Sequence, residues 1–89
     1  MRMSMSDSER AARTKALPDI FAGRVPEDDL VGLRSMAGGG EWGELLDLLI
    51  AALRVTRSPV SAAEIGQLHE LLTAWGLPTE QLTDLLVRE

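Results

Sequence analysis

The sequence contains no cysteine among its 89 residues. Disulfide bonds, thiolate metal sites, iron–sulfur ligation and cysteine nucleophiles are therefore excluded. Because small secreted domains usually depend on disulfides, the lack of cysteine favours an intracellular protein. Tyrosine is also absent, phenylalanine occurs once, and no segment alternates apolar and polar residues over the length of a strand. This composition disfavours a β-sheet protein.

Long hydrophobic segments are missing as well. The most apolar run, residues 45–53, is interrupted by Asp47 and is too short to span a bilayer. The N-terminal residues lack the apolar core of a signal peptide. The sequence therefore predicts a cytoplasmic protein that neither enters a membrane nor follows the standard secretion route.

The formal net charge of −5 is unevenly distributed along the chain. Residues 1–24 carry a net charge of +2, whereas residues 25–89 carry −7. An acidic body repels phosphate groups, so nucleic acid is not expected as a direct ligand. It would attract a basic protein and accelerate their encounter. The alternative is that the acidity serves only solubility.

Helical periodicity dominates the rest of the sequence. Residues 41–54 form the strongest predicted helix, with a broad apolar face that Leu48 and Ala52 widen further. Such a helix is expected at the centre of the fold, in contact with neighbours on more than one side. Its apolar positions are Trp42, Leu45, Leu46, Leu49, Ile50 and Leu53.

Start and stop signals place the other helices. Pro18 is expected to interrupt a weakly amphipathic helix over residues 8–17. Pro26 and the acids after it start a second helix that ends in three glycines. A capping box of Ser61 and Glu64 opens another helix, which ends near Gly76. A last short helix is predicted over residues 79–88, with Leu82, Leu85 and Leu86 directed inward.

The sequence thus predicts an all-α protein, a compact bundle of four to five short helices. Residues 9–89 are predicted to form a single domain after a disordered tail of residues 1–8.

Catalytic or cofactor-binding groups are not indicated by any motif. His69 falls on the polar side of its helix, where a lone histidine is expected to be solvated. The glycines at residues 38–40 lack the strand and the lysine of a phosphate-binding loop. Glu41, Glu44, Asp47 and Glu64 are acids on polar faces, without the pocket that acid–base chemistry requires. We therefore expect no enzyme activity, no metal and no cofactor.

Five acids are the predicted contacts with a protein partner. Glu27, Asp28 and Asp29 are consecutive at a helix start, and Glu44 and Asp47 lie on the polar strip of the strongest helix. The structural alternative for the first three is stabilisation of the helix dipole. Two tryptophans, at positions 42 and 75, lie on amphipathic faces, where each serves either core packing or binding.

Several segments of the chain resemble one known family. They read GEWGELLDLL at residues 40–49, PVSAAE at 59–64, LHELL at 68–72 and WGL at 75–77. Together they resemble the small helical immunity proteins of bacterial polymorphic toxin systems, in particular the MafI family, over residues 26–86. The resemblance implies a cytoplasmic protein that binds and neutralises a cognate toxin. It transfers no toxin-contact residue, because the matching positions are structural.

The leading hypothesis is therefore an immunity or antitoxin-like protein that blocks a basic toxin, such as a nuclease, by stoichiometric binding. The alternative is a helical scaffold or homodimeric assembly domain, suggested by the breadth of the apolar face on residues 42–53. A helix-turn-helix protein is disfavoured because the helix after Ser61 carries no lysine or arginine.

Overall fold

A computed structural model describes residues 5–88 of the chain. These residues form four α-helices, namely α1 (Asp7–Ile20), α2 (Glu27–Gly38), α3 (Trp42–Thr56) and α4 (Ala62–Ala74). Two 3₁₀ helices, Ala22–Arg24 and Glu80–Asp84, and two strands of two residues, β1 (Val60–Ser61) and β2 (Val87–Arg88), complete the described fold. The predicted all-α class is confirmed.

The four helices run alternately up and down. Side-chain contacts join the start of α1 to the end of α4, through Arg10 and Ala74, and the end of α1 to α2, through Asp19 and Arg34. Only three residues connect α2 to α3, which makes these two helices an antiparallel hairpin. α1 packs against α2, α3 and α4, although only three of its residues are buried.

The core is built around α3, as its pattern predicts. Five of its side chains, Leu45, Leu46, Leu49, Ile50 and Leu53, are fully buried. They meet apolar residues of every other helix, including Leu17, Leu33, Leu68 and Leu72.

The breadth of this apolar face is the reason for considering a homodimer. Leu45, Leu46, Leu49, Ile50 and Leu53 are buried within one chain, whereas Trp42 and Leu48 are half-buried. The oligomeric state itself stays a prediction.

Local chemistry explains the helix ends. The Ser61 hydroxyl accepts from Glu64 N at 3.0 Å, and the Glu64 carboxylate accepts from Ser61 N at 2.9 Å, so the predicted capping box is confirmed. Gly40 and Gly76 have φ values of 70° and 72°. This left-handed conformation favours glycine, and it reverses the chain after α2 and after α4.

The prediction that Pro18 ends the first helix is wrong. α1 continues through Pro18 to Ile20, and Pro18 is buried. Proline removes one helical hydrogen bond and disturbs the preceding turn, at a cost of about 3 kcal/mol. Burial of Leu17, Pro18 and Phe21 at this end of the helix offsets that cost.

The prediction of a last helix over residues 79–88 is also wrong. Only residues 80–84 are helical, in a 3₁₀ turn, and Leu85 is extended. The chain then pairs in parallel with β1, and Val60 N donates to Leu86 O at 2.9 Å. Leu82 and Leu85 are buried as expected, but Leu86 is 48% exposed. A ten-residue helix is marginal alone, and strand pairing provides the competing hydrogen bonds.

The predicted N-terminal tail is too long. Residues 7 and 8 are already helical, because the Ser6 side chain accepts from Glu9 N at 3.1 Å and caps α1. Met5 packs against the core. The tail prediction for residues 1–4 lies outside the described residues. Within residues 5–88, none of the helices has the length and apolar character needed to cross a membrane.

Candidate protein-binding surface

The five predicted contact acids all lie at the surface, but they do not form one cluster. Glu27, Asp28, Glu44 and Asp47 are exposed, and Asp29 is half-buried. Across residues 5–88, the ion pairs within 4.0 Å involve other acids, so these five carboxylates have no cationic partner there. Their charges therefore face solvent and are not neutralised by an ion pair among the described residues.

The packing of α2 separates its three acids. A β-carbon added at Gly32 would lie 3.4 Å from Leu48 Cδ2, so the flank of α2 that carries Gly32 faces α3. Asp28 is one turn before Gly32 and shares this flank. Glu27 instead shares a face with Arg34, which pairs with Asp19 of α1 at 3.0 Å.

Three of the five acids, Asp28, Glu44 and Asp47, therefore lie on one surface, the outer face of the α2–α3 hairpin. In the antiparallel hairpin, Gly32 lies level with Leu48, so Asp28 lies about one turn further, level with residues 51–52 of α3. Glu44 and Asp47 are on the exposed side of α3, one turn before Leu48 and Ala51 respectively. The structure thus brings Asp28, Glu44 and Asp47 to the outer face of the α2–α3 hairpin. It leaves Glu27 on the α1 side and Asp29 half-buried.

Three arginines of the first half of the chain form ion pairs elsewhere. Arg13 pairs with Glu70 at 2.9 Å, and Arg24 pairs with Glu64 at 2.7 Å, both across to α4. Arg10 pairs with Asp7 on its own helix. These three arginines therefore neutralise acids on the α1–α4 side of the bundle. On the α2–α3 hairpin, Asp28, Glu44 and Asp47 have no ion pair among residues 5–88, and neither do Arg54 of α3 and Arg57 at its end.

The Arg24–Glu64 pair is bidentate. Both guanidinium nitrogens donate to the Glu64 carboxylate at 2.7 Å. Together with the Ser61 backbone N–H, this contact lowers the pKa of Glu64 from 4.5 to about 2. Arg24 also lies over the Phe21 ring at 4.6 Å and donates to Pro59 O. The pair joins the 3₁₀ helix that follows α1 to the first turn of α4.

This pair excludes Glu64 from acid–base chemistry, because a carboxyl with a pKa of about 2 stays ionised at neutral pH. A shallow cleft of about 270 Å³ opens beside it, lined by Arg24, Glu64 and Arg88 among others. The Arg24–Glu64 pair that lines this cleft is satisfied internally.

A second polar cluster lies at the opposite end of α1. Thr14 is fully buried; its hydroxyl donates to Arg10 O at 2.7 Å and accepts from Trp75 Nε1 at 3.0 Å. Arg10 lies over the Trp75 ring at 4.5 Å and donates to Ala74 O. The Trp42 ring stacks on Trp75 with centroids 6.2 Å apart. Both tryptophans are half-buried and pack against the core, which favours their structural role.

Arg10, Thr14 and Arg24 were not identified from the sequence as important residues. A signal was available, because Arg10, Thr14, Leu17 and Phe21 follow one another at helical spacing along one face of the first helix. Because Arg10 and Thr14 are polar, this face does not show the hydrophobic periodicity from which a buried face is predicted.

The remaining candidates are surface features. His69 is exposed, as its position on the helix predicts. The glycines at residues 38–40 form the end of α2 and the connection to α3. Across the described part of the chain, no group of three or more histidine and acidic side chains is arranged to hold a metal ion.

Comparison with known proteins adds no further assignment. No protein-family model matches the chain, and no curated protein or solved structure gives a significant match.

Proposed function

We propose that this chain is a cytoplasmic binding protein of the immunity type, which neutralises a basic toxin by forming a stoichiometric complex with it. The observation that carries the proposal is the distribution of charge. Asp28, Glu44 and Asp47 are exposed on the α2–α3 hairpin without ion-pair partners among residues 5–88, while Arg10, Arg13 and Arg24 are paired on the α1–α4 side. The resemblance of residues 26–86 to the MafI immunity proteins supports the same function.

Such a protein would act by covering the partner rather than by chemistry. A nuclease that acts on nucleic acid needs a basic surface for the phosphate backbone. Carboxylates on the hairpin would compete with phosphate for that surface, and the net charge of −5 would accelerate the encounter. The complex is therefore expected to weaken as salt concentration rises.

The direct test uses the toxin gene that should lie beside the gene for this chain. We expect co-expression of the chain to restore growth of bacteria that express the toxin domain. We also expect calorimetry with purified proteins to give one-to-one binding. Failure to restore growth, together with no complex at micromolar concentrations, would refute the proposal.

Two sets of variants would assign the contacts. Glu44→Gln with Asp47→Asn removes charge from the outer face of α3, and Glu27→Gln with Asp29→Asn removes the same amount from the other sides of α2. We expect the first set to weaken the complex at least about tenfold, as charge contacts at interfaces commonly do. The second set should have a smaller effect, and equal effects would indicate that net charge alone matters.

The homodimeric alternative has a separate test. Analytical ultracentrifugation at micromolar concentration should give the mass of a monomer, since the central apolar face of α3 is buried within one chain. A stable dimer would favour the assembly function instead.

A further inference from the structure

The chain after α4 is attached to the bundle differently from the four helices. Leu77 still packs against the core, and its Cδ1 atom would lie 3.8 Å from a β-carbon added at Gly43 in the first turn of α3. Pro78 follows, and it has no N–H with which to bond the preceding turn. We call residues 78–88 the C-terminal strap. The strap therefore begins directly after the last residue that α4 and α3 hold in place.

Few side chains anchor the C-terminal strap in the core. Leu82 and Leu85 are buried, Thr79 and Gln81 are half-buried, and the other residues of the strap are exposed. Ordering the chain costs conformational entropy at every residue of the strap, whereas apolar burial offsets that cost mainly at the two leucines. Closure of the strap is therefore expected to be much less favourable than the packing of the helices.

The polar attachments of the strap to β1 are short. The 3₁₀ helix of the strap has poorer hydrogen-bond geometry than an α-helix, and a two-stranded sheet is marginally stable by itself. The parallel pairing of β2 with β1 covers only Val60 and Ser61 on the side of β1. Val60 N donates to Leu86 O at 2.9 Å. So short a ladder adds little to what the two leucines provide.

The polar attachment of the strap to α3 is poorly formed. Arg54 donates to Gln81 O at 3.4 Å, which is longer than a typical hydrogen bond. The Nε atom of the same guanidinium is buried and has no hydrogen-bond partner among the described residues. Because a buried donor without a partner is costly, access of water to Arg54 on release of the strap would favour an open form.

We propose that the C-terminal strap opens and closes as a unit while the four-helix bundle stays folded. Opening frees the Val60 N–H from Leu86 O and uncovers the part of α3 that the 3₁₀ helix of the strap contacts. The protein then has two folded forms, which differ in the apolar surface that they present. This conformational step does not depend on the immunity function.

Native-state hydrogen exchange of the full chain, followed by NMR, tests the proposal. The Val60 amide reports opening of the strap, because its acceptor belongs to the strap. The Leu49 and Leu72 amides lie inside α3 and α4 and report unfolding of the bundle. After correction for intrinsic rates, we expect Val60 to exchange at least about a hundredfold faster than either leucine. Low urea concentrations should hardly change the Val60 rate, because opening exposes little surface.

Two matched truncations of leucine separate the strap from the bundle. Leu85→Ala destabilises the closed form relative to the open one, so Val60 should exchange about thirtyfold faster. Leu49→Ala destabilises the closed and the open forms equally, because Leu49 belongs to the bundle. We expect Leu49→Ala to accelerate exchange of the Leu72 amide by about a hundredfold and that of Val60 by less than about twofold. Circular dichroism confirms that each variant is folded.

Three results would each overturn the proposal. Equal protection of Val60 and Leu72 would show that the strap is released only when the whole protein unfolds. Acceleration of Val60 by Leu49→Ala to the same extent as Leu72 would show the same. Exchange of Val60 at the rate of an unprotected amide would show that the closed form is not populated. None of these measurements involves a toxin, so their outcome is independent of the growth assay.

Discussion

α1 and α3 are neighbours in the bundle, yet different forces hold them in place. α3 buries six residues, all apolar, and five of them have no solvent exposure. α1 buries only Thr14, Leu17 and Pro18, although it contacts all three other helices. Its remaining attachments are polar, and they run through Arg10, Arg13 and Thr14 to α4. A helix can therefore contact every other helix of a small fold without a strong apolar stripe.

The two kinds of attachment differ in strength and in specificity. Burying a leucine or isoleucine side chain contributes about 1.5–3 kcal/mol, with little dependence on direction. A hydrogen bond contributes about 0.5–1.5 kcal/mol, but it requires one geometry. α3 should therefore account for most of the stability, whereas the polar contacts of α1 specify where that helix lies against α4.

The largest expected effect on the free energy of unfolding comes from truncating a side chain of α3. Leu49 is fully buried at the centre of the core. Leu49→Ala should lower the free energy of unfolding by about 3 kcal/mol, since it removes buried methyl groups and leaves a cavity. Urea denaturation measures this change. Val55→Ala on the same helix is the control and should change stability by less than about 0.5 kcal/mol, because Val55 is largely exposed.

The next largest effect concerns the charge pair that follows α1. Glu64→Gln should lower the free energy of unfolding by about 2 kcal/mol at pH 7, because the bidentate contact with Arg24 loses its charge. The folded pKa of about 2 lies below the ordinary value of 4.5. This contribution is therefore complete above about pH 5, and it is lost as the pH falls towards 2.

Urea denaturation at several pH values checks that sign. The difference in stability between the unmodified protein and Glu64→Gln should shrink steadily between pH 5 and pH 2. A difference that stays constant over this range would contradict the lowered pKa of Glu64.

A smaller loss of stability is expected when the buried hydroxyl of Thr14 in α1 is removed. Thr14→Val keeps the shape of the side chain, but it removes the acceptor for Trp75 Nε1 and the donor to Arg10 O. We expect a loss of about 1.5 kcal/mol, mainly because the indole N–H is left without its partner. Thr14→Ser keeps the hydroxyl, so its tryptophan fluorescence should stay close to that of the unmodified protein, while that of Thr14→Val shifts.

The smallest effect is expected at the exposed contact between α1 and α4. The Arg13 and Glu70 side chains are 33% and 62% exposed, so solvent screens their pair. Arg13→Ala should change stability by less than about 0.5 kcal/mol. A loss as large as that of Thr14→Val would show that exposed charges hold α1 more strongly than its buried hydroxyl does.

The predictions that rest on local signals in the sequence are correct, and those that are wrong concern segments held by distant contacts. The periodicity of residues 42–53, the capping box of Ser61 and Glu64, and the helix end near Gly76 are local signals, and each is confirmed. Two predictions are wrong, because α1 continues through Pro18 and residues 85–88 are extended rather than helical. In both cases contacts with residues distant in the chain outweigh the local preference.

The surface acids show the same limit. Charge and spacing along the chain identify Glu27, Asp28, Asp29, Glu44 and Asp47 as candidates, but they do not show which acids lie together. The register of α2 against α3, visible at Gly32 and Leu48, places Asp28 level with residues 51–52 of α3, on the same outer face as Glu44 and Asp47, and Glu27 lies on the side of α1.

The amino-acid order alone is enough to establish a helical, cysteine-free, acidic chain with its leucines on one side of each helix, because those properties depend on composition and on neighbours within one or two turns. The position of α1, the pairing of the arginines and the grouping of the acids depend on atoms far apart in the chain, such as Arg24 and Glu64. Such contacts exist only once the helices have packed, since their geometry comes from the packing itself.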